Sequence, residues 1–260
     1  MESRYRATVE YCGTDFHGFQ VQAQGRTVQG ELEKAIERVT QTQIRILGAG
    51  RTDAGVHASG QVIAFDVAWR HTTQALHRAL NAVLPVDIAI RQLTTTRSTF
   101  HPRFDAKCRR YRYVVLNQPI RSPLWARYAY HVSEPLNVEA MREASRWLIG
   151  SHDFAAFGKP TYGESTHRHV MQAEWFAEHL KGIEGKILTF EITANAFLYH
   201  MVRNVVGTLL RVGRGEFTPV EVPVLLEARD RAAVGPPAPA CGLYLVEVEY
   251  GDDRGVIGDS

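Results

Sequence analysis

Hydrophobic and polar positions alternate over residues 4–12, with Tyr5, Ala7, Val9 and Tyr11 on one side. This is the period-2 signature of a strand with one buried face. The period then changes: over residues 27–40, Val28, Leu32, Ala35, Ile36 and Val39 fall on one helical face. Short strands are expected at 44–47 and 60–66, a second helix over 73–83 closed by Pro85, and a fourth strand over 87–94. The order β-α-β-β-α-β is that of the split βαβ, or ferredoxin-like, unit. The second half repeats the order without repeating the sequence. A long strand over 106–116 precedes a helix running from Asn137, an N-cap residue, to Gly150, a residue suited to the position just past a helix end. Strands at about 168–178 and 186–194, helices near 196–211 and 219–229, and a last strand over 242–249 complete the half, with one helix in excess. The expected fold is therefore α+β: two ferredoxin-like (RNP-like) halves, residues 1–104 and 105–260, each with helices on one face of its sheet. The two open sheet faces can then meet across a cleft. The segment Val234-Gly235-Pro236-Pro237-Ala238-Pro239-Ala240 reads as a loop before the last strand, not as a linker.

A chain of 260 residues with 45% hydrophobic content can bury a substantial core. Cys12, Cys108 and Cys241 are odd in number, far apart and without C-x-x-C spacing, which argues against a disulfide framework or a zinc site and for reduced thiols in a cytoplasmic setting. Met1-Glu2-Ser3-Arg4 is not followed by an apolar run, and no stretch reaches the roughly 18 apolar residues of a membrane span. Net charge is only +2, but it is unevenly spread. Residues 1–130 carry 18 Lys and Arg against 10 Asp and Glu, and residues 131–260 carry 12 against 18. Most of the basic residues are arginine, whose planar fork suits phosphate and stacks on bases. A basic half with an acidic end (Glu247, Glu249, Asp252, Asp253) fits a polyanion held in a defined groove.

The octapeptide Gly50-Arg51-Thr52-Asp53-Ala54-Gly55-Val56-His57 sets one carboxylate between two glycine-permitted bends, with an arginine two residues away. Taken alone, Asp53 shapes a turn, since Asp side chains bond nearby backbone N–H groups and Gly supplies unusual dihedrals. The run from Arg103 to Tyr113 interleaves five basic residues with three aromatics; in a strand, Arg109, Tyr111 and Tyr113 share one face, and Arg110, Arg112 and Cys108 the other. Tyr111 is then either a core tyrosine or a ring on which an unpaired base stacks, and a phenol can also relay a proton. On the helix at 196–211, Leu198, Val202, Val205, Val206 and Leu209 form the buried stripe, with Arg203 at its margin. An arginine there either snorkels to water or meets a counter-charge.

Together these blocks resemble the TruA-type tRNA pseudouridine synthase family. The resemblance rests on the Asp53 octapeptide, Thr27-Val28-Gln29-Gly30-Glu31, Gly60-Gln61-Val62, Asn81-Ala82-Val83-Leu84-Pro85, Arg109-Arg110-Tyr111-Arg112-Tyr113, Asn195-Ala196-Phe197, His200-Met201-Val202-Arg203-Asn204 and Gly242-Leu243-Tyr244-Leu245-Val246, in family order. It implies that the sheets join into one extended antiparallel surface with an RNA-binding active-site cleft. It further implies isomerisation of uridine to pseudouridine at positions 38, 39 and 40 of the tRNA anticodon stem-loop, by a homodimer. By the same resemblance, Asp53 would perform the chemistry, whether by adding to C1′, adding to C6 or removing the C2′ proton. Tyr111 would stack on the uracil, Arg203 would face the aspartate, Arg51 would fill the gap left by the flipped base, and Leu243 would pack against the base. Departures from the family pattern lie in the N-terminal loop, at Cys12, Phe19 and Val21, far in sequence from Asp53.

No metal or cofactor is expected. Asp53 with His57, and His167 with His169, lack a third ligand at suitable spacing, and no phosphate-cradling glycine loop is present. The alternatives are a non-catalytic RNA-binding protein on the same scaffold and a metal-dependent RNA hydrolase using Asp53 and His57.

Overall fold

The computed structural model describes residues 2–160, 163–179 and 184–251; Asp252 and Asp253 of the acidic end lie outside the described residues. The chain forms two compact units, one holding the chain up to Cys108 and again from Leu245, the other holding Arg109–Tyr244.

In the first unit, strand β1 (Glu2–Tyr11) lies between β3 (His57–Ala68) and β4 (Ile88–Thr95), antiparallel to both. Tyr5, Ala7, Val9 and Tyr11 are buried, so the alternation in the sequence is the alternation of the pleat. A two-residue β2 (Leu47–Gly48) also pairs with β3, giving the β4-β1-β3-β2 neighbour order of a ferredoxin-like unit. The expected strand at 44–47 is thus shorter and shifted. Helix α1 (Val28–Thr40) starts where Thr27 Oγ1 accepts the Gly30 N–H, and α2 (Thr73–Val83) where Thr72 Oγ1 accepts the Ala75 N–H. Each hydroxyl satisfies one of the donors that a helix N-terminus leaves unpaired. The last strand, β10 (Leu243–Tyr250), runs beside β3. At Gly60 of β3 an added Cβ would stand 2.1 Å from the Val246 carbonyl oxygen, so no larger residue fits without moving the strand.

The second unit is built on β5 (Ala106–Asn117), which enters it at Arg109. Its strand order is β5-β9-β8-β7, with β7 (Gly150–Asp153), β8 (His167–Glu178) and β9 (Lys186–Ala194) antiparallel in turn. A short β6 (Tyr130–Val132) lies parallel to β5. Helix α3 (Val138–Arg146) is capped by Asn137 as expected, its Oδ1 accepting the Ala140 N–H. It ends earlier than expected. Trp147 closes it, and Gly150, at φ +110°, instead opens β7. Helix α4 (Met201–Gly213) begins five residues later than expected, because His200 takes φ +64°, outside the right-handed helical region, and Tyr199 before it bridges to Lys159. Helix α5 (Glu221–Ala228) follows. The stripe Leu198, Val202, Val205, Val206 and Leu209 is buried as read from the sequence. The result is a mixed α+β protein with mostly antiparallel, open sheet structure.

Gly60→Ala is expected to cost about 1–3 kcal/mol through forced displacement of β10, read as a lower denaturant midpoint at unchanged m-value.

Candidate active site

Asp53 opens a turn in which its carbonyl accepts the Val56 N–H at 3.2 Å and Gly55 takes φ +78°. Of the two glycines expected to bend the loop, Gly55 adopts the left-handed region and Gly50 does not. Asp53 is half-buried and Arg51 exposed. The backbone on either side of the carboxylate is tied down at Gly50, Thr52, Gly55 and Val56. The Gly50 carbonyl accepts Gln61 Nε2–H at 2.9 Å from a side chain with no solvent exposure. Thr52 Oγ1 and the Tyr11 hydroxyl share a buried hydrogen bond of 2.7 Å, and the Thr52 carbonyl accepts the Phe19 N–H at 3.0 Å. Gly55 donates to the Phe16 carbonyl at 3.3 Å, and the buried His57 accepts the Gly13 N–H on Nδ1 at 3.0 Å.

The partner in most of these bonds is the N-terminal segment 11–19. Far from Asp53 in sequence, it is packed onto the loop. An added Cβ at Gly13 would lie 1.9 Å from the Val56 carbonyl oxygen, and one at Gly18 (φ +93°) 2.8 Å from that of Thr52. Of the three departures from the family pattern, Phe19 therefore belongs to the support of the loop. Phe19 is buried, with its ring 6.4 Å from that of Tyr11 and its edge against Gly48. Cys12 Sγ contacts Thr14 Oγ1 at 3.4 Å, and Val21, at the surface, donates its N–H to Gln29 Oε1. His57 serves the same support, since the Nδ1 lone pair that a metal would need is used on Gly13. Among the described residues, no group of three or more His, Cys, Asp or Glu is placed to hold a metal ion.

The other expected site residues, Tyr111, Arg203 and Leu243, lie in the second unit. Tyr111 sits on β5 opposite Ile192, 9% exposed, with Phe197 edge-on to its ring at 4.9 Å. The arginines around it are largely committed to β9. Arg112 donates through Nε (2.9 Å) and Nη2 (2.6 Å) to Glu191 Oε1, Arg110 lies 3.7 Å from Glu191 Oε2, and Arg109 donates to the Asn195 carbonyl. The basic run is therefore partly an internal charge network, with Glu191 buried between two guanidinium groups.

Arg203 and Leu243 meet the same segment, the Pro/Gly-rich loop 234–242. Arg203 Nε donates to the Ala238 carbonyl at 2.7 Å, and the Arg203 carbonyl accepts the Ala238 N–H at 2.9 Å. Thr208 Oγ1 lies within hydrogen-bonding distance of the Val234 carbonyl, and Gly207 leaves room for the Pro236 carbonyl, which an added Cβ would meet at 2.6 Å. The Tyr113 hydroxyl donates to the Pro239 carbonyl at 2.7 Å, and burial holds its pKa well above the ordinary tyrosine value, so it stays a donor. Burial likewise raises the Cys241 thiol. Leu243 follows directly, buried at the start of β10. The support of the aspartate loop by Tyr11, Thr52, Gln61 and His57 was not legible in the sequence; Thr52, Gln61 and His57 belong to family-like motifs, but a motif does not say what each side chain bonds.

A family model described as tRNA pseudouridine synthase matches residues 7–105 and 144–251. Relatives match over nearly the whole chain. The tRNA pseudouridine synthase A of Brevibacillus brevis is 44% identical over 248 residues, 95% of this chain and 99% of the relative. That of Bacillus velezensis is 43% identical over 95% and 99% of the two chains. That of Chloroflexus aurantiacus is 47% identical over 92% and 86%.

Thr52→Val removes one half of the buried hydroxyl pair and with it the 2.7 Å hydrogen bond to Tyr11. A loss of about 1–3 kcal/mol is expected, and Tyr11→Phe with Thr52→Val together should cost less than the sum of the two, a coupling measured by a double-mutant cycle in urea.

Proposed function

The chain belongs to the tRNA pseudouridine synthase family, and on that premise we propose that it isomerises uridines 38, 39 and 40 of the tRNA anticodon stem-loop, with Asp53 as the reacting carboxylate. The protein is an isomerase acting on tRNA. The observation that carries the role of Asp53 is the fastening of its loop. A half-buried carboxylate stands in a loop whose residues Gly50, Thr52, Gly55 and His57 are bonded to the surrounding fold.

The reaction breaks the bond between uracil N1 and ribose C1′ and forms one between C5 and C1′; the proton on C5 leaves and N1 gains one. Atoms are conserved, so no oxidant, reductant or co-substrate is required. Only the ionised carboxylate can act as nucleophile or base. In this reading Arg203 is its counter-charge, favouring the ionised form. Tyr111 stacks on the uracil, Leu243 packs against it, and Arg51 occupies the gap in the RNA stack, offsetting part of the few kcal/mol that flipping costs. The reading includes a homodimer in the cytoplasm, one tRNA reaching across both subunits.

Wild-type protein in EDTA is expected to release tritium from a tRNA transcript labelled at uridine C5, and Asp53→Ala to release none while still binding the RNA. Tight binding without release by the wild type would favour the RNA-binding alternative, and strand scission or loss of activity in EDTA the metal hydrolase.

A further inference from the structure

Phe104 is 69% exposed, and the turn that presents it is tightly bonded. His101 Nδ1 accepts the N–H groups of Arg103 (3.1 Å) and Phe104 (3.4 Å), the His101 N–H donates to Asp105 Oδ2 (3.0 Å), and the Asp105 N–H returns to the His101 carbonyl (3.0 Å). Arg97 Nη2 fixes the same Asp105 oxygen at 2.6 Å. Burial, with Arg4 nearby, lowers the His101 pKa, which keeps Nδ1 an acceptor at neutral pH. The imidazole lies against one side of the Phe104 ring, centroids 4.3 Å apart at 38°.

Beside the ring is a cavity of about 420 Å³ bounded by Arg97, Phe104, Asp105, Lys107 and Tyr250. Its Tyr250 wall is itself anchored, the hydroxyl donating to the Pro102 carbonyl at 2.7 Å and Arg6 lying 4.3 Å above the ring. Arg103 stands 5.9 Å from the Phe104 centroid. The ring packs on the imidazole by one side only and leaves most of its area in water. What it offers is a pre-set π surface that loses no conformational entropy on binding. Its neighbours decide the ligand. Protein anchors sit in apolar patches, whereas this ring has Arg103, Lys107 and the Asp105-paired Arg97 around it, a combination of stacking surface and cations that holds single-stranded nucleic acid.

We propose that Phe104 is a stacking platform for an unpaired nucleotide of the tRNA other than the reacting uridine, with that nucleotide's phosphate at Lys107. The assignment rests on tRNA as the substrate of the reading above and is independent of what Asp53 does.

The test is equilibrium binding of a tRNA transcript to Phe104→Ala, Phe104→Leu and Phe104→Trp. Loss of one base stack corresponds to about 5- to 150-fold weaker binding, expected for Ala and Leu alike, while Trp stays within about threefold of wild type because every base can stack on its ring. The salt dependence of Kd should keep its slope in Phe104→Ala and lose about one unit in Lys107→Ala. Tritium release by Phe104→Ala should need a tRNA concentration higher by the same factor, a KM effect that sets a binding role apart from the chemistry. Wild-type affinity in Phe104→Ala, or in Phe104→Leu, overturns the platform, the latter by reducing the ring to an apolar contact. Conversion of a dimer to a monomer by Phe104→Ala in sedimentation velocity overturns it in favour of a subunit contact. If the wild type binds tRNA but releases no tritium, the reading of Asp53 fails while the Phe104 series still reports on stacking.

Discussion

One hydrogen bond shielded from solvent, between Tyr11 Oη and Thr52 Oγ1, sets the residue before Asp53 and so the origin of its side chain. Buried hydroxyls must be paired, because each one left unsatisfied costs the desolvation it suffered. This pair joins the end of β1 to the loop that runs into β3, two strands already locked by their ladder from Glu2↔Ala68 to Tyr11↔Ala58. The aspartate loop is thus an extension of the sheet. Gln61 from β3 and His57 at its first residue add two more side-chain bonds, and Phe19 and Phe16 close the loop through backbone bonds. Catalysis by a carboxylate depends on its being held where the reacting atom will stand, since placement paid for in folding need not be paid for again in the transition state.

The second unit solves a similar problem with charge and close backbone approach. Glu191 draws Arg110 and Arg112 towards β9, so the strand that carries Tyr111 is fixed from its charged side while Tyr111, Tyr113 and Val115 are buried. The loop 234–242, rich in proline and glycine, is seated on α4 through Gly207, Thr208 and Arg203 and on β5 through Tyr113. Its carbonyls thereby find donors that a loop without regular structure would otherwise lack. Arg203 has a structural partner in Ala238, so its replacement disturbs this seating as well as removing a charge. A loss of activity in an Arg203 variant does not by itself assign the residue to the chemistry.

The main elements were legible in the sequence because each carries its own period. β1, α1, α2, β4, β8 and β9 fall within two residues of where alternation and helical spacing put them, and Thr27, Thr72 and Asn137 cap their helices by the chemistry their side chains offer. What the sequence did not reveal has no period. β6 and β7 are three and four residues long, too short to alternate visibly. Gly150 looked like a helix terminator because glycine suits left-handed dihedrals there, but the same φ of +110° served to start a strand. For the site, Asp53, Tyr111 and Arg203 stood out through a family pattern, whereas the residues that hold the aspartate loop are brought to it by β1 and the segment after it, a pairing that no local rule exposes.

That pairing changes the meaning of the substitutions at Cys12 and Phe19. Read along the chain, they belong to a loop remote from the reacting residue; read in three dimensions, Phe19 is the floor beneath it. Its backbone N–H fixes the Thr52 carbonyl whatever its side chain, while the ring fills the space over Gly48. A different aromatic at this position alters the volume under the loop without removing a hydrogen bond from it. Interiors respond to a change of volume by shifting what they pack against, and here that is Gly48, in the strand leading to the loop, and Tyr11, whose hydroxyl sets Thr52. The position of the carboxylate therefore depends on a packing contact as well as on its bonds, which is how a substitution far along the chain reaches the site without touching it.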